Sequence, residues 1–422
     1  MNFDVIVCGG GVAGSMAAIS AARAGAKTLL IERGGCIGGM WTAGLLGITL
    51  DADNKGGLLR EFLDRLNKEM AESGAAIFEA QKVLLEQMCV NAEVKIMLHT
   101  QVFDCIMEGN KLIGVQTASK SGKQSFFAKV IIDATGDGDI AAMAGCTYDY
   151  GREEDGKAQP MSMLCVVAGL KEEEIRPYIG YPQGDFWAPR ERMLRLLKDC
   201  GTSSSMGFPS FSKINDSLFY LSVNHEYEKS SLNAFDITEA TIHARREIND
   251  IVKALHQHGG EAFQNISLAI TPEVIGIREG RRIKGKYTVV CEDMLTGKKH
   301  ADSVCTASYW VDIHALSANG NKSFTSGGIT VKPYDIPFTS LIPIDCDNLI
   351  LAGRSISGDF YSHASYRVIG NMAPVGEAAG IMAAVCAQKN IDVQALKWED
   401  FGELIPNAAS NSTAQDIPIE KT

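Results

Sequence analysis

The sequence opens with Phe3-Asp4-Val5-Ile6-Val7-Cys8, then Gly9-Gly10-Gly11-Val12-Ala13-Gly14, and this stretch decides the fold. The apolar run is too short for a typical helix and predicts a strand, whereas the small residues after it predict a helix. In this G-x-G-x-x-G pattern, Gly9 permits a tight turn, Gly11 lets backbone amides approach a pyrophosphate, and Gly14 lets the helix lie close to the strand. Free amides at the helix N-terminus attract the anion. The stretch predicts a dinucleotide site.

A second predicted strand, 27–31, ends at Glu32, eighteen residues beyond Gly14. An acid at this distance is expected to accept hydrogen bonds from ribose hydroxyls. A glycine-rich turn can also have no function, but the strand, helix and acid together favour nucleotide binding. The motif leaves open which dinucleotide binds.

The composition is that of an ordinary globular protein, with 45% hydrophobic and 22% charged residues. A length of 422 residues predicts two domains. The net charge of -11 argues against a nucleic-acid partner, because phosphate binding relies on Lys and Arg. The 11 cysteines include no Cys-x-x-Cys pair, so we expect no metal site and a reducing compartment.

Two features of the sequence indicate the cellular location: where the first strand begins, and an acidic residue within the last apolar segment. The first strand begins within three residues of Met1, so we expect no signal peptide and a cytoplasmic protein. The sequence has no uninterrupted apolar run long enough to span a bilayer, and the nearest candidate, after Asn371, is broken by Glu377, so we expect no membrane insertion.

A further apolar strand, 128–132, runs into Asp133-Ala134-Thr135-Gly136-Asp137. Thr-Gly-Asp-Gly is also an ordinary turn. After the first motif, however, a strand ending in Ala-Thr-Gly and an acid favours FAD over NAD, because flavin-dependent proteins return to the nucleotide at such a place. Between the two motifs the pattern predicts helices over 56–70 and 83–90 and strands over 94–98, 102–106 and 112–116, the last two forming a hairpin.

From residue 147 the alternation of strand and helix stops. Strands are predicted over 217–223 and 286–292 and a long helix over 237–256. The nucleotide fold resumes with a strand over 348–352 and a helix from Met372 to Cys386, capped by Asn371 and with Pro374 in its first turn. We predict a first FAD-binding part over 1–146, an inserted α+β substrate or capping domain over 147–345, a second FAD-binding part over 346–406 and a polar tail over 407–422.

Three separated segments together resemble one family: the N-terminal turn with Glu32 and Gly38-Gly39, the 134–137 return, and the stretch from Gly353 to Gly380. They resemble FAD-dependent oxidoreductases of the glutathione-reductase-like fold, in the branch that contains the flavoprotein subunits of succinate dehydrogenase and fumarate reductase. The chain is more closely similar to a broad bacterial group of FAD-dependent oxidoreductases. The resemblance implies an α/β, FAD-binding Rossmann fold, and the strands over 94–116 resemble the three-stranded crossover of large flavoproteins.

The inserted region is similar to the bacterial group at Ile277–Arg282, Val311–His314 and Tyr334–Pro343. It does not resemble the capping domain of the dicarboxylate enzymes, so their substrate is not carried over. The cluster from Arg278 to Arg282 has alternating charges, which is typical of a solvated or salt-bridged strand end, and Arg278 is its member to test.

The motifs and the resemblance together predict a set of residues that bind FAD. The early loop from Gly35 to Gly44 has no histidine at the usual place of covalent attachment, so we expect noncovalent FAD. Arg354 stands where the dicarboxylate branch has an acid on the ribityl chain, so either that contact is missing or Arg354 faces phosphate. The predicted set is Gly9, Gly11, Val12, Ala13, Gly14, Glu32, Arg33, Gly38, Gly39, Met40, Thr42, Val102, Thr135, Gly136, Asp137, Gly353, Arg354, Gly370, Asn371, Met372 and Ala373.

The residues predicted to be catalytic are Arg367, His363 and His314. His363, Arg367 and Asn371 repeat the spacing of a His, an Arg and an Asn in the dicarboxylate branch, where the Arg holds a substrate carboxylate. Arg367 suits this role because a guanidinium pairs bidentately with carboxylate, although a buried structural pair is the alternative. His363 and His314 are the candidates for the general base, with a structural hydrogen bond as the alternative for each.

The expected function is hydride transfer between FAD and a small polar substrate that bears a carboxylate or hydroxyls. A flavin-binding electron carrier without its own substrate site is the alternative, and an NAD-only dehydrogenase is a third possibility. Cys36 suggests a disulfide reductase, but no second cysteine lies a few residues away. Substrate identity, electron acceptor or donor, reaction direction and oligomeric state are left open.

Overall fold

The computed structural model describes residues 2–180, 186–319 and 323–406, and the predicted polar tail over 407–422 lies outside the described residues. The strands are β1 (Asn2–Cys8), β2 (Thr28–Ile31), β3 (Lys95–Met97), β4 (Gln101–Glu108), β5 (Lys111–Ser119), β6 (Gly122–Asp133), β7 (Tyr148–Asp149), β8 (Leu164–Ala168), β9 (Ser210–Lys213), β10 (Leu218–Ser222), β11 (Ser267–Ile270), β12 (Arg282–Ile283), β13 (Ser303–Ala307), β14 (Ile313–His314), β15 (Phe324–Thr325), β16 (Tyr334–Pro337) and β17 (Leu349–Leu351). The helices are α1 (Val12–Arg23), α2 (Gly57–Ser73), α3 (Ile77–Asn91), α4 (Asp139–Met143), α5 (Glu172–Ile175), α6 (Ala188–Asp199), α7 (Ala234–His258), α8 (Cys291–Thr296), α9 (Phe360–Tyr366) and α10 (Ile369–Lys389).

The main sheet is built around β1, as the opening sequence predicts. Its order is β3-β2-β1-β6-β5-β4, with β17 also paired to β6. β1 runs parallel to β2 and β6, and β17 runs parallel to β6. Val5, Ile6 and Val7 are completely buried, as a strand covered on both faces requires. The α/β class with a parallel sheet is confirmed.

β6 belongs to two kinds of pairing at once. Its first half is antiparallel to β5, and its second half is parallel to β1. The predicted β4–β5 hairpin is confirmed, but the predicted strand over 94–98 does not join it, because β3 pairs parallel to β2. The antiparallel crossover therefore consists of β4, β5 and the start of β6. Its twelve residues make β6 long enough for both partners.

Helices α1 and α10 bring the two ends of the chain together. A Cβ on Gly376 would lie 2.1 Å from the Ala13 oxygen, and one on Gly380 would lie 2.1 Å from the Ala17 oxygen. Glycine is needed at both positions because the two helix backbones approach so closely. This packing places the C-terminal segment directly beside the N-terminal turn.

The inserted region has a buried cluster of its own. Strands β8 to β11 form an antiparallel sheet in the order β11-β8-β10-β9. Apolar residues at helical spacing on α7, including Ala244, Ile248 and Leu255, are buried in the cluster of this region. That cluster spans 161–277, whereas buried residues over 283–342 belong to the first core. The domain boundaries at 147 and 345 stay a prediction.

One predicted element differs in type from the structure. The strand predicted over 286–292 is wrong, because α8 begins at Cys291 and the Asp293 carboxylate accepts a 3.0 Å hydrogen bond from the Val290 amide. Such a contact satisfies a free amide and favours a helix start. The other predicted helices and strands are present with shifted ends.

Helix α10 is long and apolar enough to cross a membrane by length and composition, although it contains Glu377. However, 89% of its most apolar window is buried inside the protein, as in a core helix.

Candidate active site

The glycine turn after β1 has the geometry that its sequence predicts. Gly9 has a φ of 100°, and a Cβ on Gly14 would lie 1.9 Å from the Gly9 oxygen, so the helix and the turn need both glycines. A Cβ on Gly11 would meet no atom within 4 Å. Gly11 therefore borders open space at the start of α1, where the first-turn amides are available to an anion.

Glu32 braces this turn. Its Oε2 accepts a 2.6 Å hydrogen bond from the Gly10 amide, and its Oε1 accepts a 2.6 Å bond from the Gly34 amide. The carboxylate also lines the cavity. Each carboxylate oxygen has more than one acceptor site, so Glu32 can hold the backbone and still accept a bond from a ligand hydroxyl.

The loop after β6 is fixed by a buried acid. Asp133 accepts hydrogen bonds from the Thr135 amide (3.0 Å), the Thr135 hydroxyl (2.7 Å) and the Ala141 amide (2.9 Å). Burial raises the pKa of Asp133 to about 6 despite these bonds. The loop is held open toward the cavity, which Thr135, Gly136 and Asp137 line.

Arg354 has an acid partner within the protein. Its Nη2 lies 2.7 Å from Asp137 Oδ1, and both residues line the cavity. Neither alternative drawn from the sequence included this pair. The acid that the resemblance expects after Ala352-Gly353 is thus replaced by a contact to the loop after β6.

The start of α10 differs from the prediction. The helix begins at Ile369 with Val368 as its N-cap, so the prediction of Asn371 as the capping residue is wrong, and Pro374 lies inside the helix. Asn371 is fully buried, and its Nδ2 has no partner among the described residues. Gly370 is close to the backbone of Leu50, whose oxygen accepts its amide at 3.0 Å.

One cavity of about 900 Å³ joins the predicted cofactor residues to the inserted region. Predicted cofactor residues that line it are Gly9, Gly11, Val12, Ala13, Glu32, Arg33, Gly39, Met40, Val102, Thr135, Gly136, Asp137, Gly353, Arg354 and Met372. Predicted cofactor residues that do not line it are Gly14, Gly38, Thr42, Gly370, Asn371 and Ala373. Gly14 instead allows close backbone packing, and Gly38 has a φ of 103° and lies against the Thr42 side chain. The Thr42 hydroxyl donates to the Ile37 oxygen at 2.7 Å.

Arg367 and Arg278 line the same cavity. Arg367 Nη2 donates to the Asp312 backbone oxygen at 2.7 Å and lies 3.2 Å from Asp312 Oδ2. Arg278 Nη1 donates to the Pro160 oxygen at 2.8 Å. Burial by itself raises the pKa of Asp312, but His314 and the two guanidiniums outweigh it and hold that pKa well below its ordinary value. Arg367 therefore pairs directly with the Asp312 carboxylate, and Arg278 acts on the same carboxylate through its charge.

His314 lies at the centre of a hydrogen-bonded row. Its Nε2 is 3.3 Å from Asp312 Oδ2, and its Nδ1 is 3.0 Å from His225 Nε2. His225 Nδ1 is in turn 3.2 Å from the Tyr227 hydroxyl. Burial, aided by the Arg278 charge, lowers the pKa of His314 to about 4 and that of His225 well below its ordinary value. Both rings are neutral at neutral pH.

His363 is placed differently from His314. It is fully buried, does not line the cavity, and neither ring nitrogen has a partner among the described residues. Burial, with the Arg282 charge, lowers its pKa well below the ordinary value. Its ring packs edge-on against Tyr366 at 5.5 Å. The structure therefore separates His363 from the cavity and disfavours it as the base.

Residues 278–282 are not a solvated strand end. Glu279 and Arg282 are 1% exposed and form an ion pair of 2.5 Å, while Arg281 pairs with Asp139 at 2.8 Å. Of the two interpretations of this charge pattern, the salt-bridged one is correct, and these ion pairs lie inside the protein.

Cys36 and a group of two glutamates and one histidine are two further candidates for a functional site. Cys36 lines the cavity, and burial raises its pKa, which disfavours a reactive thiolate. Glu226, His243 and Glu247 bring three potential metal-ligand atoms within 4.8 Å of one another. Asn224 and His243 already donate to these carboxylates, so protein hydrogen bonds account for the group.

Sequence reasoning missed Asp312, His225, Tyr227 and Arg190 as parts of this site. Asp312 had a local signal, because it stands two residues before His314. The other three carry no signal in their neighbouring sequence and reach the cavity or its edge only through the fold of the inserted region.

The FAD dependent oxidoreductase family model matches residues 4–405. Among solved structures, the chain is similar to a geranylgeranyl bacteriochlorophyll reductase-like protein from Thermoplasma acidophilum (14% identity over 92% of this chain and 80% of that chain, TM-score 0.47). It is also similar to the myxobacterial chondrochloren halogenase (13% identity over 96% of this chain and 78% of that chain, TM-score 0.48). A third similar structure is p-nitrophenol 4-monooxygenase from Pseudomonas putida (13% identity over 96% of this chain and 84% of that chain, TM-score 0.47). These similarities are too low to indicate a reaction or a substrate.

The family fixes the cofactor as FAD, as predicted. The site fits that group, since the open space at Gly11, the amides of α1 and the Glu32 carboxylate border one cavity that runs on to Arg354 and Met372. Since the match covers nearly the whole chain, this protein belongs to the FAD dependent oxidoreductase family and is an FAD-dependent enzyme.

Proposed function

We propose that this enzyme transfers a hydride between noncovalently bound FAD and a small polar substrate that bears a carboxylate or hydroxyls. We further propose that its FAD domain is of the glutathione-reductase-like type. One observation carries the substrate class: Arg278 and Arg367 line the cofactor cavity and have only Asp312 as a shared counter-charge among the described residues that line it beside them. The surplus positive charge favours an anionic group.

The residues that would hold FAD are those that border the cavity around the glycine turn after β1, together with the start of α10. The amides of Val12 and Ala13 would face the pyrophosphate, and Glu32 would accept from the ribose. The start of α10, with Met372 in the lining, would face the ring system with the positive end of its dipole. Bound FAD supplies the hydride acceptor or donor.

Arg367 is the proposed anchor of the substrate carboxylate. Arg367 Nη2 already donates to the backbone oxygen and to the carboxylate of Asp312. Arg367 Nη1 has only a long contact, of 3.5 Å, to the Arg278 backbone oxygen. Nη1 is therefore the nitrogen best able to turn toward a ligand. The contacts to Asp312 fix the plane of the guanidinium, so little side-chain freedom is lost on binding.

Asp312 and His314 are the proposed proton-accepting pair. Both ring nitrogens of His314 have protein partners, so a substrate proton reaches it through Asp312. No hydrogen bond joins Asp312 Oδ1 to a described residue, and the side chain lines the cavity. When an alcohol or amine is oxidised, the hydride leaves from carbon and the proton goes to the Asp312 carboxylate, whose lowered pKa requires that the anionic group of the substrate first takes up the charge of the two guanidiniums. In the reverse direction the pair returns it.

The test is anaerobic bleaching of the FAD-loaded protein by a panel of hydroxy acids, amino acids and sugars. Arg367→Gln is expected to keep the bound FAD and its colour but to lower the rate of bleaching by about 100-fold, because a charge-assisted bond to substrate is lost. Arg245→Gln, an exposed arginine on α7, is the matched control. Equal bleaching of Arg367→Gln and the unaltered protein would contradict the proposal, and reduction by a partner protein alone would favour the carrier.

A further inference from the structure

A third arginine lines the cavity, at a place that the proposed reaction does not use. Arg190 is the third residue of α6, is 8% exposed and borders the same cavity as Arg367. Its Nη1 donates to the Gly180 oxygen at 2.9 Å and to the Phe186 oxygen at 2.5 Å. The guanidinium carbon lies 3.6 Å from the centre of the Phe186 ring. These contacts hold the group in one orientation.

Among the described residues, the rest of this guanidinium has no hydrogen-bond partner. A guanidinium carries five N–H donors, and Nη1 uses two of them. Nε is buried and unpartnered, and over residues 2–180, 186–319 and 323–406 no acceptor for Nη2 and no ion pair of Arg190 is found. Burial lowers its pKa to about 10, which still leaves the group charged at neutral pH. A buried charge with free donors is costly unless a counter-ion is supplied.

Serine hydroxyls share the cavity lining with Arg190. Ser210, Ser212 and Ser222 line the cavity, and Ser210 on β9 is the register partner of Ser222 on β10. The Ser210 hydroxyl and Arg190 Nη1 lie 2.9 Å and 2.8 Å from the position that a Cβ on Gly180 would take. A guanidinium beside several hydroxyls is suited to an oxyanion, which accepts from both.

A row of ring contacts links Phe186, the stacking partner of Arg190, to His314. The Phe208 ring is 5.5 Å from His314 and 5.0 Å from Phe324, and Phe324 is 5.5 Å from Phe186, on which Arg190 stacks. Phe208 and Met206 both line the cavity. The cavity therefore has, in Arg190, a cationic group that contacts neither Arg278 nor Arg367, and it has an apolar lining at Phe208 and Met206.

We propose that Arg190, with Ser210 and Ser222, forms a second oxyanion subsite, and that the substrate carries two negatively charged groups joined by an apolar middle. This inference rests on the proposed function, in which the first group binds Arg367. The second group is a carboxylate or a phosphate, either of which matches these donors. The middle lies against Phe208 and Met206.

The test uses straight-chain dicarboxylates of increasing length, each paired with the monocarboxylate of the same number of carbons. Binding to the FAD-loaded protein is measured by calorimetry and by the change in flavin absorbance. The best dicarboxylate is expected to bind about 10- to 100-fold more tightly than its partner, the range for one charge-assisted contact. Arg190→Gln is expected to abolish this advantage while leaving monocarboxylate binding and FAD content unchanged.

Arg195→Gln, an exposed arginine on the same helix, is the matched control. If Arg190→Gln does not fold, Ser210→Ala decides, with an expected loss of about threefold or more in dicarboxylate affinity alone. Dicarboxylates that bind no more tightly than monocarboxylates, or an Arg190→Gln variant that keeps the advantage, overturn the subsite. Loss of FAD from Arg190→Gln also overturns it, because Arg190 would then serve the cofactor.

The two proposals fail in different ways. Monocarboxylate binding that survives Arg367→Gln removes the anchor of the proposed function. A dicarboxylate advantage that survives Arg190→Gln removes only the second subsite. Inorganic phosphate, titrated in competition with the best dicarboxylate, shows whether the subsite also accepts a phosphate group.

Discussion

The Arg354 guanidinium lies 2.7 Å from the Asp137 carboxylate, and this pair connects the end of β17 to the loop after β6. Only 20% and 14% of the two side chains are exposed, so the pair is less screened than a surface ion pair. We expect Arg354→Met to weaken FAD binding about tenfold or more, because the Gly136–Asp137 loop loses its anchor. Retention of FAD on gel filtration and titration of apoprotein with FAD measure this. Lys111→Met, which breaks the exposed pair with Asp392, is the control, and equal FAD affinity in both variants would contradict the role.

Gly11 and Gly14 allow a separation of cofactor binding from folding. A Cβ on Gly11 meets only open space, so Gly11→Ala is expected to leave the thermal midpoint of the apoprotein unchanged but to weaken FAD binding at least tenfold. A Cβ on Gly14 would meet the Gly9 oxygen at 1.9 Å, so Gly14→Ala is expected to destabilise the apoprotein by about 1–3 kcal/mol or more. Thermal unfolding of both apoproteins decides, and an equal loss of stability in the two variants would refute the distinction.

Two histidines that look alike in the sequence are expected to behave differently. His363→Leu is expected to keep FAD, to leave the pH dependence of flavin bleaching unchanged, and to be neutral or stabilising, because an unpartnered buried polar ring costs about 1–3 kcal/mol. His314→Gln is expected to change that pH dependence, since its ring contacts Asp312 and His225. A bleaching rate that falls with His363→Leu at unchanged FAD content would reverse the assignment.

Glu377 gives the protein a predictable dependence of stability on pH. Burial raises its pKa from the ordinary value of 4.5 to about 7, although the Leu58 amide donates to it at 3.0 Å. The folded state therefore binds the proton more tightly than the unfolded state, and the stabilisation that this gives is full below pH 4.5 and is lost as the pH rises to about 7. Glu377→Gln stays neutral, so its free energy of unfolding relative to the unaltered protein is expected to rise by on the order of 1–3 kcal/mol between pH 5 and pH 8. Urea unfolding at both pH values tests this, with the exposed Glu403→Gln as control. A difference that is the same at both pH values would show that Glu377 does not titrate in this way.

The N-terminal part of the fold could be predicted because local rules determine it. The turn at Gly9, the helix from Val12 and the acid at Glu32 each depend on a few neighbouring residues, and the structure has all three. The start of helix α10 was harder to predict. Asn371 is a good N-cap residue by type, but α10 begins two residues earlier, where Gly370 binds the Leu50 oxygen from a distant segment.

The substrate side of the cavity could be predicted only in part. Arg367 and His314 follow from resemblance, and Asp312 could have been found from its spacing to His314. Arg190 and His225 could not, because α6 reaches the cavity, and the segment after β10 reaches His314, only through strand pairing and helix packing that no local pattern records. His363 shows the opposite failure, since the right spacing along the chain put it on a helix face that points into the core.

The close contact of α1 with α10 has a consequence for how the chain is made. Gly376 and Gly380, which seat α10 on α1, are synthesised long after α1. Until then the nascent N-terminal half carries an uncovered, alanine-rich helix and half a binding groove, so a truncated translation product can neither capture the cofactor nor hide that surface from chaperones.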